Sequence, residues 1–194
     1  MRDVYEACPS FEGGRYLLRP VSQEDCADLL KVYSDKKAVP LFNSDNCHGD
    51  DFHYTSMERM RKAIDFWLFS YEKRYFVRWS IVDKRSGELI GTVELFHRDA
   101  EDFFTDCGIL RLDLRSDYER ASEIRRILGL IIPQAYDLFD CGMIATKAVL
   151  AAKERICALT QMGFAEREEK LIGHDGTVYG DYYILYEQKG KGYE

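Results

Sequence analysis

Apolar and charged residues alternate at a period of two across residues 108–114 (Gly-Ile-Leu-Arg-Leu-Asp-Leu), which predicts a half-buried strand. A polar run, 115–122, follows. From Ile124 the apolar positions Ile127, Leu128, Ile131, Ala135, Leu138 and Phe139 recur at spacings of three and four, the stripe of a helix packed on a sheet. Pro133 falls inside this pattern, but the residue four positions back is Gly129, which relieves the clash of the ring, so a kink is expected and not a stop. Asp140-Cys141-Gly142 then closes the helix, with the glycine expected to take positive φ, and 143–149 reads as a second strand. Residues 153–162 predict a short helix, Gly163 its left-handed cap and Phe164 the return to the core. The whole of 109–164 is thus a β-helix-β crossover with a second helix attached.

The amino-terminal half supplies the remaining elements. Residues 16–19 predict a strand, and Ser22 with Asp25 gives capping spacing for a helix through Val32. Thr55 and Glu58 form a capping box for a second helix, whose Met60, Ile64, Trp67, Leu68 and Tyr71 form an apolar stripe assigned to the core. Residues 76–83 and 88–97 read as a hairpin joined through 84–87. The expected organisation is an arm at 1–14, one domain at 15–188 and a tail at 189–194.

Composition narrows the class. At 194 residues and 46% hydrophobic, the chain can bury a sizeable core, and no repeat or low-complexity run divides it. No apolar run approaches the roughly 18–20 residues of a membrane span, and Arg2, Asp3 and Glu6 leave no apolar leader core, so a soluble cytoplasmic protein is expected. Six cysteines (8, 26, 47, 107, 141 and 157) include no Cys-x-x-Cys pair, which argues for reduced thiols. A net charge of −7 disfavours nucleic acid and anionic membranes as partners and suits a cationic one such as an amine; monomer and homodimer both stay open.

Candidate chemistry lies in the polar loop, because a helix N-terminus exposes unpaired N–H groups and partial positive charge. Arg125 and Arg126 fall in the predicted first turn, where cations oppose the macrodipole by roughly 0.3–1 kcal/mol each; either a bound phosphate or simple solvation accounts for them. The stretch 47–53 (Cys-His-Gly-Asp-Asp-Phe-His) matches no zinc spacing and reads as a polar loop near an acceptor site, so no metal is expected. The acidic stretch 97–106 reads as a solvated hairpin connection unless a cleft lies there. No Gly-x-Ser-x-Gly elbow is present, which sets aside the commonest hydrolase arrangement.

The order of these elements, the Asp117-Tyr118 pair and the ending Met162-Gly163-Phe164 resemble the GNAT superfamily of N-acetyltransferases, as do Leu18-Arg19-Pro20-Val21, the run 87–93 and Gly180-Asp181-Tyr182. The likeness extends from Tyr16 to about Tyr186 and is greatest to the branch that acetylates ribosomal-protein N-termini. It implies an α/β (α+β) fold, with a mixed, mainly antiparallel sheet flanked by helices. It also implies acetyl-CoA as cofactor and acetyl transfer by direct attack of a primary amine, from a small molecule or a peptide N-terminus. On this resemblance the backbone of Leu112, Asp113 and Leu114 would meet the pantetheine arm. Arg120, Ala121, Ser122, Glu123, Ile124 and Arg125 would meet the pyrophosphate.

Four positions depart from the family pattern. Arg120 and Ser122 replace loop glycines, and Ala152 and Leu159 stand where the family often has an asparagine and a proton-donating tyrosine. Tyr182 and Tyr183 are alternative acids. Glu94, on the strand face shared by Ile90, Thr92 and Phe96, is the candidate base, with a pKa expected to be raised by apolar neighbours; the alternative is a solvent-facing carboxylate. Against catalysis stands a binding module with a degenerate cofactor loop. An open loop at 115–122 favours the enzyme, and one plugged by Arg120 favours the module.

Overall fold

The period-two segments become strands of one eight-stranded sheet, and the period-3.6 segments become the helices that cover its two faces. In the computed structural model residues 3–188 are described; the expected tail at 189–194 and the first two residues of the expected arm lie outside them. In chain order the elements are β1 (Phe11–Gly13), β2 (Tyr16–Pro20), α1 (Cys26–Tyr33), α2 (Met57–Glu72), β3 (Val77–Asp83), β4 (Leu89–Arg98) and β5 (Cys107–Leu114). There follow α3 (Ala121–Phe139), β6 (Met143–Lys147), α4 (Lys153–Gln161), β7 (Ala165–Glu166), β8 (Leu171–Ile172), β9 (Val178–Tyr179) and β10 (Tyr182–Tyr186). The sheet order is β1-β2-β3-β4-β5-β6-β10-β7, and β8 with β9 forms a separate ribbon.

Every neighbouring pair in the large sheet is antiparallel except β5 with β6, which α3 connects as a crossover. That parallel pairing stops at Leu110 with Thr146, so the two strands separate over Arg111–Leu114. On one face α3 and α4 pack Ile124, Ile127, Leu128, Ile131 and Leu159 against Trp79, Leu110, Leu112 and Leu114. On the other, α1 and α2 bring together Leu29, Tyr33, Met60, Ile64 and Trp67.

Several boundaries differ from the sequence pattern for identifiable reasons. Ser56, not Thr55, caps α2, its hydroxyl accepting from the Arg59 N–H at 3.2 Å. Helix α3 begins at Ala121, three residues before Ile124, so Arg125 and Arg126 stand in its second turn. At the other end Asp140, at φ 47°, takes the left-handed position expected of Gly142; a short polar side chain tolerates that conformation. Pro133 stays inside a continuous helix, with open space around Gly129. Gly163 has the positive φ expected of it, +90°. Residues before 15 add to the sheet: β1 pairs with β2, the Trp79 indole donates to the Pro9 carbonyl at 2.8 Å, and Val4 is buried.

A buried node ties the β2–β3 edge to the approach to α3. Asp83 accepts from Arg15 Nε at 2.9 Å and from the Tyr118 hydroxyl at 2.8 Å. The Arg15 guanidinium holds the Asp83 carboxyl well below the usual carboxylate range. A depressed folded-state pKa stabilises the fold above the unfolded value of about 3.9, and that stability is lost as pH falls toward the folded value. Asp83→Asn is therefore expected to lower the thermal midpoint at pH 7. It should also lose less stability than the wild type between about pH 5 and pH 2. Scanning calorimetry across that range checks this, and equal losses in both proteins would refute it.

Candidate active site

The sheet face beneath α1 and α2 is polar at its centre. Strand alternation sets Arg78 (β3), Thr92 and Glu94 (β4), and Arg111 and Asp113 (β5) on that face, across the paired positions Arg78–Glu94, Glu94–Arg111 and Thr92–Asp113. Arg78 Nη1 donates to the Tyr33 hydroxyl (2.7 Å), Thr92 Oγ1 (3.0 Å) and Asp113 Oδ2 (3.1 Å), and its other terminal nitrogen pairs with Glu94. Tyr33 donates to Asp113 Oδ2 at 2.7 Å. The Trp67 ring lies 4.1 Å from the Arg78 guanidinium, a cation–π contact in a dry setting. Arg111 completes the floor, donating to Glu94 Oε1 at 2.7 Å and to the Asp45 carbonyl at 2.8 Å.

Glu94 therefore lies on the expected face, but its surroundings reverse the expected titration. It is 1% exposed, so it does not face solvent. Burial alone would raise its pKa; the Arg78 and Arg111 guanidiniums outweigh burial and hold it below the usual range. The strand pattern counted apolar neighbours along β4 and missed the two arginines on the flanking strands. Burial does push the Asp113 carboxyl up, against the pull of Arg78.

Above this floor opens a cavity of about 830 Å³. Its walls are largely aromatic, from Phe52, Tyr54, Trp67, Phe76 and Phe96, and its rim carries Asp45, His48, Asp50, Arg59, Asp99 and His174. Phe66 and Tyr75 stand at its edge, 57% and 61% exposed. Much of the stretch 47–53 forms one wall: Asp50 accepts from the Phe52 N–H (2.8 Å) and the Tyr54 hydroxyl (3.0 Å), fixing a loop in which His48, Gly49 and Phe52 have positive φ. A cleft also adjoins the start of the acidic connection, since His97, Arg98 and Asp99 line the same cavity. The two candidate tyrosines separate. Tyr182 reaches the cavity and donates to Asp45 Oδ2 at 3.2 Å, while Tyr183 packs with the α3 face. Burial raises the pKa of Tyr182.

Behind the floor lies the gap between β5 and β6. Arg155, from the first turn of α4 and 2% exposed, fills it. Its Nη1 donates to the Leu112 carbonyl at 2.8 Å and the Leu41 carbonyl at 3.0 Å, and its Nε and Nη2 form a bidentate pair with Glu119, both at 2.8 Å. Next to it, Glu154 accepts from the Ala121 N–H at 2.8 Å, so a carboxylate of this chain already stands at the N-terminus of α3. Arg120 does not plug the loop; it is the exposed N-cap residue. The Asp113 carbonyl faces Gly91 on β4, where an added Cβ would lie 2.1 Å away, so this carbonyl is turned from the gap. Glu123 bonds Tyr16 and Arg126, Arg125 bonds Gln161 at 2.9 Å, and Ile124 is core. Ala152 and Leu159 are buried and have no side-chain donor. The sequence reading missed Glu119, Glu154 and Arg155; the one available signal was an acidic-basic pair opening a short helix beside an apolar gap.

An acetyltransferase (GNAT) domain model matches residues 15–165. The chain belongs to that family. GNAT proteins are acyltransferases, and this chain is one of them. Among solved structures it is similar to the ribosomal-protein-S5-alanine acetyltransferase of Vibrio fischeri (16% identity, TM-score 0.68, covering 93% of this chain and 98% of that one). RimL, a ribosomal L7/L12 alpha-N-protein acetyltransferase in complex with coenzyme A, matches at 12% identity and TM-score 0.68, covering 92% and 98%. A GNAT acetyltransferase from Bacillus anthracis matches at 10% and 0.67, covering 92% and 98%. At these identities the structures share the fold.

The GNAT family uses acetyl-CoA. Two of the backbone groups that the resemblance gives to this cofactor already have partners here, the Leu112 carbonyl in Arg155 and the Ala121 N–H in Glu154. Within the cavity floor, Glu94→Gln would leave two buried arginines short of counter-charge. The expected cost is about 3–5 kcal/mol, with a far smaller effect for Glu58→Gln in the exposed pair with Lys62. Urea unfolding of both variants measures the difference; similar midpoints would show the network to be dispensable.

Proposed function

We propose that this acyltransferase moves an acetyl group from acetyl-CoA to a primary amine, carried by a small molecule or a peptide N-terminus, that is held in the 830 Å³ cavity. The observation that carries the reading is the cavity itself. It is a preformed pocket with aromatic walls, both carboxylates and arginines in its lining, and a charged floor on β4 and β5, beside the strand gap that opens after Leu110. Two of the similar structures are named as ribosomal-protein acetyltransferases, one of them an alpha-N-protein acetyltransferase, which supports a protein amine as acceptor. The net charge of −7 favours approach of a cation.

In this reading the aromatic walls bind the body of the acceptor, and Asp99 offers its ammonium a counter-charge, since Asp45 and Asp50 are already paired with Lys147 and Arg59. Glu94 stays ionised at neutral pH and keeps Arg78 and Arg111 in place at the floor, so the amine's proton leaves by another route. Phe66 and Tyr75, exposed at the mouth, contact whatever extends from the pocket.

The test incubates the protein with acetyl-CoA and a panel of amines and short peptides, following acceptor-dependent release of the free thiol. Release with at least one amine is expected, and none across the panel sinks the reading. Replacing both Phe66 and Tyr75 by alanine is expected to raise KM for the acceptor about tenfold while kcat changes little, because only binding at the mouth is removed. A fall in kcat with unchanged KM would contradict that role.

A further inference from the structure

We propose that the first turn of α4 is a built-in competitor of the cofactor, with Glu154 and Arg155 occupying the two halves of its site in the resting protein. The inference rests on the acetyl-CoA reading above and adds to it how the chain restricts access.

Acetyl-CoA offers phosphate anions at one end and amide N–H donors along its arm. The α3 N-terminus attracts anions, and the unpaired edge of β5 offers carbonyls. Two consecutive residues of α4 supply this chemistry from within. Glu154 brings the anion to the Ala121 N–H, and Arg155 brings the donor to the Leu112 carbonyl. Arg155 is held from two further directions, by the Glu119 carboxylate in the α3 approach and by the Leu41 carbonyl. The Leu41 segment continues to Asp45, which pairs with Lys147 on β6 at 2.7 Å and accepts through its carbonyl from Arg111 on β5. The strap therefore crosses the gap between the strands, and Arg155 pins it.

Opening the site requires breaking these contacts together, and the carboxylates of Glu119 and Glu154 would repel arriving phosphates. A resting state that is mostly closed lowers the apparent affinity for cofactor by the open fraction. Removing the competitor restores that factor.

The experiment is calorimetric titration of CoA into wild-type protein, Glu154→Ala and Arg155→Ala at one ionic strength, with thermal unfolding to check each fold. Glu154 is exposed, so its variant keeps the fold even if loss of the buried Arg155 does not. Both variants are expected to bind CoA about tenfold more tightly than wild type. Equal or weaker binding by Glu154→Ala overturns the proposal while leaving the acetyl-CoA reading standing, as does weaker binding by a folded Arg155→Ala, which would make Arg155 a cofactor contact. No saturable heat from any of the three at millimolar CoA overturns both.

Discussion

The Arg78 guanidinium is the constraint around which this molecule is arranged. It is buried between a three-strand surface and a helix pair, so its charge has to be met within the protein; a buried guanidinium left without partners would cost several kcal/mol. Glu94, Asp113, Thr92 and Tyr33 meet it, and each comes from a different strand or helix than Arg78 does. The network therefore ties β3, β4 and β5 together in register through side chains, in addition to their backbone ladders. It also keeps one patch of the sheet polar, so that α1 and α2 rest on Tyr33 and Trp67 at its margin and the cavity remains above Glu94 and Arg111.

The other constraint comes from strands that part. Where β5 leaves β6, backbone groups lose their ladder partners, and buried polar groups must find new ones. Here the Leu112 carbonyl finds an arginine of the same chain. That one substitution of partner couples the β5–β6 gap to the cavity, because Arg155 also holds the Leu41 carbonyl, and the segment from Leu41 to Asp45 borders both.

Legibility followed the range of the interactions. The crossover from β5 through α4 was readable, because period two and period 3.6 are local and because Gly163 could mark a helix end on its own. Caps were less so, since Ser56 and Asp140 competed with equally suitable neighbours one or two positions away. The face that Glu94 takes was legible, but its protonation was misjudged, because the guanidiniums that decide it lie 16 residues before and 17 after it in the chain. Arg155 was missed for the same reason: it meets Glu119 from 36 residues away and Leu41 from 114. Pattern along a chain reports which face a residue takes; it does not report which charges arrive from elsewhere.

Strand β10 is last in sequence among the described elements, yet it sits inside the sheet, bonded to β6 on one side and β7 on the other. Its first residue, Tyr182, forms part of the cavity and holds Asp45. A chain emerging from the ribosome can build strands β2–β5 and both early helices, but it lacks this wall until β10 is free to insert between β6 and β7. The cavity is thus completed last by β10: every other residue that lines it precedes Tyr182 in the chain.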